Sequence, residues 1–141
     1  MNKKSLAYLL VAVSVIFSIA CNKQQASGNS GSVQNVTVKS LKEKLDKNPG
    51  LFVLDVRTPS EYKEYGHIKG AKLLPISQLT QRMAELTDMK NNEIYVICAS
   101  GQRSLAASRY LRKQGFGKVY NVLGGMYKWK GSSFAVEYGG K

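Results

Sequence analysis

Short apolar runs alternate with amphipathic stretches along the chain from residue 36 onward. Residues 51–56 (LFVLDV) and 94–97 (IYVI) are almost continuously apolar, as expected of strands that are buried on both faces of a sheet. Shorter runs predict three more strands, at residues 36–38, 71–76 and 118–122. The pattern therefore predicts five strands separated by helices.

Two capping-box patterns indicate helix starts in the first half of the chain. Ser40 precedes Glu43 by three residues, and Thr58 stands in the same relation to Glu61. Pro59 would occupy the first helical position of the second pattern, where its missing N–H costs nothing. We therefore expect one helix to begin at Ser40 and another at Thr58.

Three further helices are predicted in the second half. Ser77 can cap a helix whose apolar face is formed at spacings of four and three, by Leu79, Met83 and Leu86. Another helix is expected from about Ser104 to Gln114, and a short one around residues 126–130. This alternation predicts an α/β fold with a central, mainly parallel five-stranded sheet flanked by helices on both faces.

The first residues are predicted to be an export signal. Lys3 and Lys4 precede a largely apolar run at residues 6–20, which is short for a membrane span but fits a secretory signal. Residues 18–21 (SIAC) resemble the lipobox of bacterial lipoproteins, although that family prefers Leu where Ser18 stands. The resemblance implies cleavage before Cys21, lipidation of its sulfur and anchoring to a bacterial membrane, with the domain in the periplasm or at the cell surface. An ordinary signal peptide or an uncleaved anchor is the alternative.

The segment after Cys21 is predicted to be a tether. It reads NKQQASGNSGSVQ and offers almost nothing that a core could bury. The predicted organisation is a signal peptide over residues 1–20, a lipidated Cys with a flexible linker over residues 21–34, and one domain over residues 35–141.

The net charge of +12 raises the hypothesis of a nucleic-acid partner. The basic residues are mostly Lys and are scattered along the chain, which favours a solvated surface instead. Loss of residues 1–20 would leave +10, because two Lys and no acidic residue are removed. Export makes nucleic acid an unexpected partner, and the charge suits attraction to small anions or lipid head groups.

The composition also narrows the kinds of site that this fold can carry. The chain has a single His, which excludes a site built from several His. Its two cysteines, Cys21 and Cys98, are 77 positions apart and cannot form a CxxC pair or a zinc knuckle. Metal sites of these kinds are therefore not expected.

The candidate chemistry lies in the segment that follows residues 94–97. Cys98 stands at the carboxyl end of a predicted strand, where parallel-sheet folds bind ligands, and just before a predicted helix. A helix N-terminus lowers the pKa of a nearby thiol, and Gly101 would let successive N–H groups turn into one concavity. Arg103 would bind a compact oxyanion there, with Ser104 as a hydroxyl donor at the rim. The alternative is a small, inert Cys buried at a strand end.

Motifs spread over residues 36–136 resemble, in order and spacing, a single rhodanese domain. They are Asp55-Val56-Arg57, Glu61-Tyr62, Gly66-His67-Ile68, Gly70-Ala71, Pro75, the loop CASGQRS at residues 98–104, Gly124-Gly125-Met126 and Trp129. Each motif is common by itself, but together they are specific. The resemblance implies a rhodanese-like fold.

The resemblance also implies a thiosulfate sulfurtransferase that needs no metal or organic cofactor. Cys98 would be the catalytic nucleophile, which takes sulfur from a small anionic donor such as thiosulfate and passes it, as a persulfide, to cyanide or a thiol. We expect a monomer. The alternative function is a membrane-tethered persulfide carrier with little turnover. The residues implied in substrate binding are Ala99, Ser100, Gly101, Gln102, Arg103 and Ser104.

Related phosphatases hold five residues between Cys and Arg, whereas four separate Cys98 from Arg103, which favours sulfurtransfer. The resemblance assigns Asp55 and Arg57 to a buried structural network. It places His67, a tempting general base, in a structural turn. Trp129 is expected to pack in the core.

Overall fold

A computed structural model of the protein describes residues 32–140. The predicted signal at residues 1–20, Cys21 and most of the predicted tether lie outside the described residues. Within residues 32–140 five strands form one sheet: β1 (Gln34–Thr37), β2 (Phe52–Asp55), β3 (Lys72–Leu73), β4 (Glu93–Ile97) and β5 (Lys118–Leu123). The first strand begins one residue before the predicted domain boundary at residue 35.

The strands are arranged in the order β1-β5-β4-β2-β3, and every neighbouring pair is parallel. The same part of the chain contains four α-helices, which are α1 (Val38–Lys47), α2 (Pro59–Glu64), α3 (Gln102–Lys113) and α4 (Gly125–Gly131). The predicted α/β architecture with a parallel five-stranded sheet is therefore confirmed.

Side chains alternate between the two faces of the sheet and build two separate apolar layers. In β4, Ile94 and Val96 pack toward α3, whereas Tyr95 and Ile97 pack toward α1, α2 and α4. All four are fully buried. This explains the continuous apolar run, because a strand covered by helices on both faces has no solvent-facing side. Cys98 continues the alternation and belongs to the α3 layer.

The second capping box is present as predicted. The Thr58 hydroxyl accepts from the backbone N–H of Glu61 at 3.2 Å, and the Glu61 carboxylate accepts from the backbone N–H of Thr58 at 3.0 Å. The first prediction is wrong, because α1 begins at Val38 and its cap is Thr37, whose hydroxyl accepts from the N–H of Ser40 at 3.1 Å. No loop separates β1 from α1, so the last strand residue serves as the cap.

The helix predicted to begin at Ser77 is also wrong. The chain forms two stretches of 3₁₀-helix, Ile76–Gln78 and Met83–Met89. Leu79 and Leu86 are both buried, as the apolar spacing required. Side chains three positions apart share a side in a 3₁₀ turn as well as in an α-helix, so the spacing of Met83 and Leu86 could not separate the two.

Two kinds of feature are absent from the described residues. No helix among residues 32–140 is both long and apolar enough to cross a membrane. Within the same residues, no group of three or more His, Cys, Asp or Glu side chains is placed to hold a metal ion.

Candidate active site

Cys98 follows β4 directly and lies in front of the first turn of α3. Its side chain is 1% exposed. Gly101 caps α3 with a φ of 104°, in the left-handed region that favours glycine. The helix therefore begins at Gln102, two residues earlier than predicted, and its N-terminus faces the sulfur.

The loop carbonyls are turned away from the sulfur and are held by the next helix. The N–H of Met126 donates to the carbonyl of Cys98 at 2.8 Å, and the N–H of Tyr127 donates to that of Ala99 at 2.9 Å. This approach requires Gly125, because a Cβ there would lie 2.3 Å from the Cys98 oxygen. With its carbonyls bound to α4, the loop presents N–H groups to the sulfur, as an anion-binding nest does.

Several donors surround the sulfur and lower its pKa. Burial by itself raises the pKa of the Cys98 thiol, but hydrogen bonds from the Ser104 hydroxyl and from the backbone N–H groups of Ser104, Gly101 and Ser100 hold it below its ordinary value. The Gly101 nitrogen lies 3.1 Å from Sγ. A thiol in this setting is poised to act as a thiolate nucleophile.

Ser104 does not lie at the rim of the site, which corrects the prediction. Its side chain is fully buried beneath the sulfur. Because α3 starts early, Ser104 points at the sheet, where its Oγ lies 3.4 Å from Cys98 Sγ and 2.7 Å from Asn121 Oδ1. Ser104 thus contacts the nucleophile from the protein interior, on the side away from solvent.

Arg103 lies beside the Cys98 loop, and its side chain is held by Glu61 of α2. Its guanidinium donates to both carboxylate oxygens of Glu61, at 2.9 and 2.5 Å. This contact, aided by Thr58 and opposed by partial burial, lowers the pKa of Glu61 to about 2. The Arg103 side chain remains 37% exposed. The capping-box residue of α2 therefore also fixes the guanidinium beside the loop.

The other loop residues divide by exposure. Ala99 and Gly101 are buried, whereas Ser100 and Gln102 are exposed. Of the predicted substrate-binding set, Ser100, Gly101 and Ser104 therefore contact the sulfur, and Ser104 does so from below.

Asp55 and Arg57 form a second buried polar group, here called the ion-pair cluster, at the end of β2. Arg57 Nη2 lies 2.7 Å from an Asp55 carboxylate oxygen, and both side chains are almost completely buried. The guanidinium also donates to the carbonyls of Glu61 and Gly66, at 3.3 and 2.9 Å. The cluster thereby ties β2 to both ends of α2.

His67 and Trp129 belong to the layer opposite Cys98. The His67 ring stacks on Tyr62 with 3.6 Å between ring centroids, and its Nδ1 lies 3.1 Å from the Tyr62 carbonyl oxygen. Trp129 is buried, and its indole N–H donates to the Ala135 carbonyl at 3.0 Å. These contacts are those of packing residues, as expected.

Sequence reasoning missed two residues of the site. Glu61 was recognised as a cap but not as the partner of Arg103. Asn121 was passed over, although a polar side chain within the apolar strand β5 was a usable signal. Together with Cys98 and Ser104, Asn121 makes up what is here called the sulfur cluster.

One protein family and two of its relatives show what this chain is similar to. The profile of the family described as "Rhodanese-like domain" matches residues 37–132. YrkF of Bacillus subtilis, whose name gives it the proposed role of a sulfur carrier protein, is 41% identical over 110 residues, which cover 78% of this chain and 58% of that protein. A protein of Allochromatium vinosum named sulfurtransferase is 35% identical over 97 residues, with 69% of this chain and 88% of that protein covered.

Solved structures agree with the sequence comparisons. The crystal structure of a rhodanese-like domain protein from Staphylococcus aureus superposes with a TM-score of 0.66 at 32% identity, covering 77% of this chain and 100% of that one. The chain therefore spans little more than half of YrkF, but nearly the whole of the Allochromatium protein and all of the Staphylococcus chain.

Proposed function

The chain belongs to the rhodanese-like domain family, and from this premise we propose that it transfers sulfane sulfur from thiosulfate, through a persulfide on Cys98, to cyanide or a thiol. A sulfurtransferase-type function in general is supported by its relatives. The observation that carries the finer proposal is the ring of donors around a single buried sulfur.

The first step is a displacement at sulfur. The Cys98 thiolate attacks the outer sulfur of thiosulfate, so a bond forms between Sγ and that sulfur. The bond between the two thiosulfate sulfurs breaks, and its electron pair leaves with sulfite. The product is a Cys98 persulfide anion, which the backbone N–H groups of Ser100 and Gly101 are placed to stabilise. No oxidant is required.

The second step returns the enzyme to its starting state. Cyanide or a thiolate attacks the outer sulfur of the persulfide, and the electron pair of the broken S–S bond returns to Cys98. Cys98 is the only cysteine among residues 32–140. No neighbouring thiol in that part of the chain can intercept the persulfide, so the sulfur is delivered to an outside acceptor.

Arg103 supports the choice of a small anionic donor. Its guanidinium is partly exposed, and Cys98 is one of the smaller causes that raise the pKa of Arg103. Because Glu61 holds this group in one position, an entering anion meets an oriented donor at no cost in side-chain ordering.

A carrier function is the second candidate, favoured by the low exposure of the nucleophile. A sulfur that is 1% exposed is more accessible to small donors than to bulky acceptors. In this case the protein would load quickly and unload only onto a matched partner. The name of YrkF is consistent with such a role.

We also propose that residues 1–21 direct export and that Cys21 carries the lipid anchor. The support is the order of a basic segment, an apolar run and SIAC in the sequence. In a bacterial host that processes lipoproteins, the wild type should enter the membrane fraction and incorporate a fatty-acid label. Cys21→Ser should lose the label, whereas the matched Cys98→Ser variant should keep it. Equal labelling of wild type and Cys21→Ser contradicts the anchor.

The function is tested by mass spectrometry of the full-length protein after incubation with thiosulfate. We expect one additional sulfur on the peptide that contains Cys98, removable by cyanide with release of thiocyanate. Cys98→Ser should acquire none. Turnover with cyanide and with a small thiol then separates an enzyme from a carrier, since a carrier loads but turns over slowly. Wild-type protein that never gains sulfur from thiosulfate, a thiosulfonate or a polysulfide contradicts both.

A further inference from the structure

Asn121 is a buried amide at the centre of a short hydrogen-bond chain. Its side chain is 1% exposed. Its Oδ1 lies 2.7 Å from Ser104 Oγ, and its Nδ2 lies 2.9 Å from Asn35 Oδ1. Asn35 is the register partner of Asn121 on the neighbouring strand β1, and it is exposed. The chain therefore runs from solvent at Asn35, through Asn121 and Ser104, to Cys98.

The Ser104 hydroxyl has one proton but two neighbours that could accept it. Asn121 Oδ1 at 2.7 Å is the nearer acceptor, and Cys98 Sγ lies at 3.4 Å. With the amides in this orientation Asn121 Oδ1, the nearer acceptor, competes with the sulfur for that proton and weakens the hydrogen bond from Ser104 to Cys98. Whenever the proton lies with Asn121, Ser104 turns a lone pair toward the sulfur, which suits a protonated thiol that can donate to it.

Rotation of both amides by half a turn reverses the direction of every bond in the chain. Asn35 Nδ2 then donates to Asn121 Oδ1, and Asn121 Nδ2 donates to Ser104 Oγ. The Ser104 proton is released to the sulfur. The number of hydrogen bonds is unchanged, and the oxygen and nitrogen of an amide occupy almost the same volume. The reversed chain therefore fits the same space and serves the thiolate.

We propose that Asn121 is a positioning residue whose amide orientation decides whether the Ser104 hydroxyl accepts from Cys98 or donates to it. Asn35 completes the device, because it can pair with Asn121 in either direction. The inference rests on the proposed role of Cys98 as a nucleophile, but it concerns the thiol before any sulfur is transferred.

The other groups around the sulfur do not change with this amide. The backbone donors belong to the loop and to α3. The charged side chains to consider are Arg103, which is paired with Glu61 of α2, and the ion-pair cluster on the opposite face of the sheet. Asn121 contributes no charge of its own, so its effect on the sulfur passes through Ser104.

The test is the pH dependence of alkylation at Cys98 in the full-length protein. Iodoacetamide labelling is followed on the peptide that contains Cys98, which separates it from Cys21. In Asn121→Asp the carboxylate can only accept, so it holds the Ser104 proton and raises the pKa of the thiol. We expect labelling below that pKa to slow by about tenfold, the value of one hydrogen bond to a charged group, with an unchanged rate at high pH.

A remote variant separates the hydrogen-bond chain from simple charge. Asn35→Asp lies on an exposed strand edge, and its carboxylate can only accept from Asn121, which locks the chain in the direction that suits the thiol. Labelling should slow in the same sense by a smaller factor. In a Ser104→Ala background this effect should vanish, because the link is cut, whereas it should persist in the matched Ser108→Ala background.

Two results overturn the proposal. One is a labelling profile in Asn121→Asp and Asn35→Asp equal to that of wild type. The other is an Asn35→Asp effect that survives in Ser104→Ala, since charge alone would then explain it. If Asn121→Asp fails to fold, the proposal is decided by comparing Asn35→Asp in the Ser104→Ala and Ser108→Ala backgrounds. Failure of the proposed function looks different, because wild type would then take up no sulfur whatever the labelling profiles show.

Discussion

The sheet carries two buried polar clusters at the carboxyl ends of its neighbouring strands β2 and β4. The ion-pair cluster of Asp55 and Arg57 packs on the side of α2, and the sulfur cluster of Cys98, Ser104 and Asn121 packs on the side of α3. In the ion-pair cluster, opposite charges meet and the guanidinium nitrogens bond to carboxylate and carbonyl oxygens. In the sulfur cluster a single hydroxyl proton stands between two acceptors.

This difference separates a structural network from a reactive one. A cluster whose donors and acceptors match has one favourable arrangement, which rigidifies the elements that it joins. A cluster with one proton too few can exist in two arrangements of similar energy, and it can follow a change in the charge of the sulfur. Glu61 connects the two, because its carbonyl accepts from Arg57 while its carboxylate holds Arg103.

The largest expected effect comes from breaking the ion-pair cluster. Arg57→Met would leave the Asp55 carboxylate buried without its counter-charge, which typically costs about 3–5 kcal/mol of unfolding free energy. Chemical denaturation measures the loss. The labelling rate of Cys98 in the folded protein should change far less than the stability, because the ion-pair cluster reaches the site only through Glu61.

The matched control is the double variant Asp55→Asn with Arg57→Met, which removes both charges and should recover part of the lost stability. If Arg57→Met were as stable as wild type, the ion pair would not hold β2 to α2. The contrast between a structural cluster and a reactive one would then be contradicted.

The next effect concerns Glu61 and depends on pH. Its pKa in the folded protein is about 2, against an ordinary value of 4.5, mainly because Arg103 donates to the carboxylate. A depressed folded-state pKa means stability that is fully present above pH 4.5 and is lost as the pH falls toward 2. Glu61→Gln should therefore lose less stability than wild type as the pH falls from 4.5 toward 2. Thermal unfolding between these pH values measures the difference.

Glu85 provides the control for this experiment. Its pKa is also lowered to about 2, by Arg82 and Lys72, but it lies on the surface. Glu85→Gln should alter the acid limb without changing sulfur loading. Glu61→Gln should in addition slow sulfur loading, because Arg103 loses the partner that holds it beside the loop. Loading that is slowed equally in both variants would contradict this role of Glu61.

The smallest effect is expected at Ser108, one turn beyond Ser104 on α3. Among the described residues, its hydroxyl is the one buried side-chain oxygen without a hydrogen-bond partner. Ser108→Ala should leave the unfolding free energy unchanged or slightly higher. Ser104→Ala should instead cost about 1–3 kcal/mol, because it strands the oxygen of Asn121. Denaturation of both variants gives the comparison, and equal costs would contradict the sulfur cluster as described.

The strands and the position of the nucleophile were predictable from the sequence. Apolar runs such as residues 94–97 can be satisfied only by a strand covered on both sides, and the Cys after that run must lie at the carboxyl edge. The turns at residues 76–89 were not predictable, because a three-residue apolar spacing fits both 3₁₀ and α geometry and the spacing does not show where a helix is interrupted.

The side-chain contacts inside the site could not be predicted from the sequence either. The orientation of Ser104 depends on where α3 begins, and a shift of two residues turns a side chain from the rim to the sheet. The contacts of Arg103 with Glu61, and of Ser104 with Asn121, join residues 42 and 17 positions apart. Such pairs arise from the packing of α2 and α3 against the sheet, and no local sequence pattern predicts them.

The loop around Cys98 has a consequence for protein engineering. Its contacts with the sulfur come chiefly from main-chain N–H groups, which every substitution except proline retains. The side chains of Ser100 and Gln102 are exposed, so they can be recoded without removing these donors. Gly101 and Gly125 cannot be replaced in this way, because both have positive φ and Gly125 lies against the Cys98 carbonyl. A library randomised at residues 100 and 102 would thus vary the exposed side chains near the site while keeping Cys98 and its backbone donors unchanged.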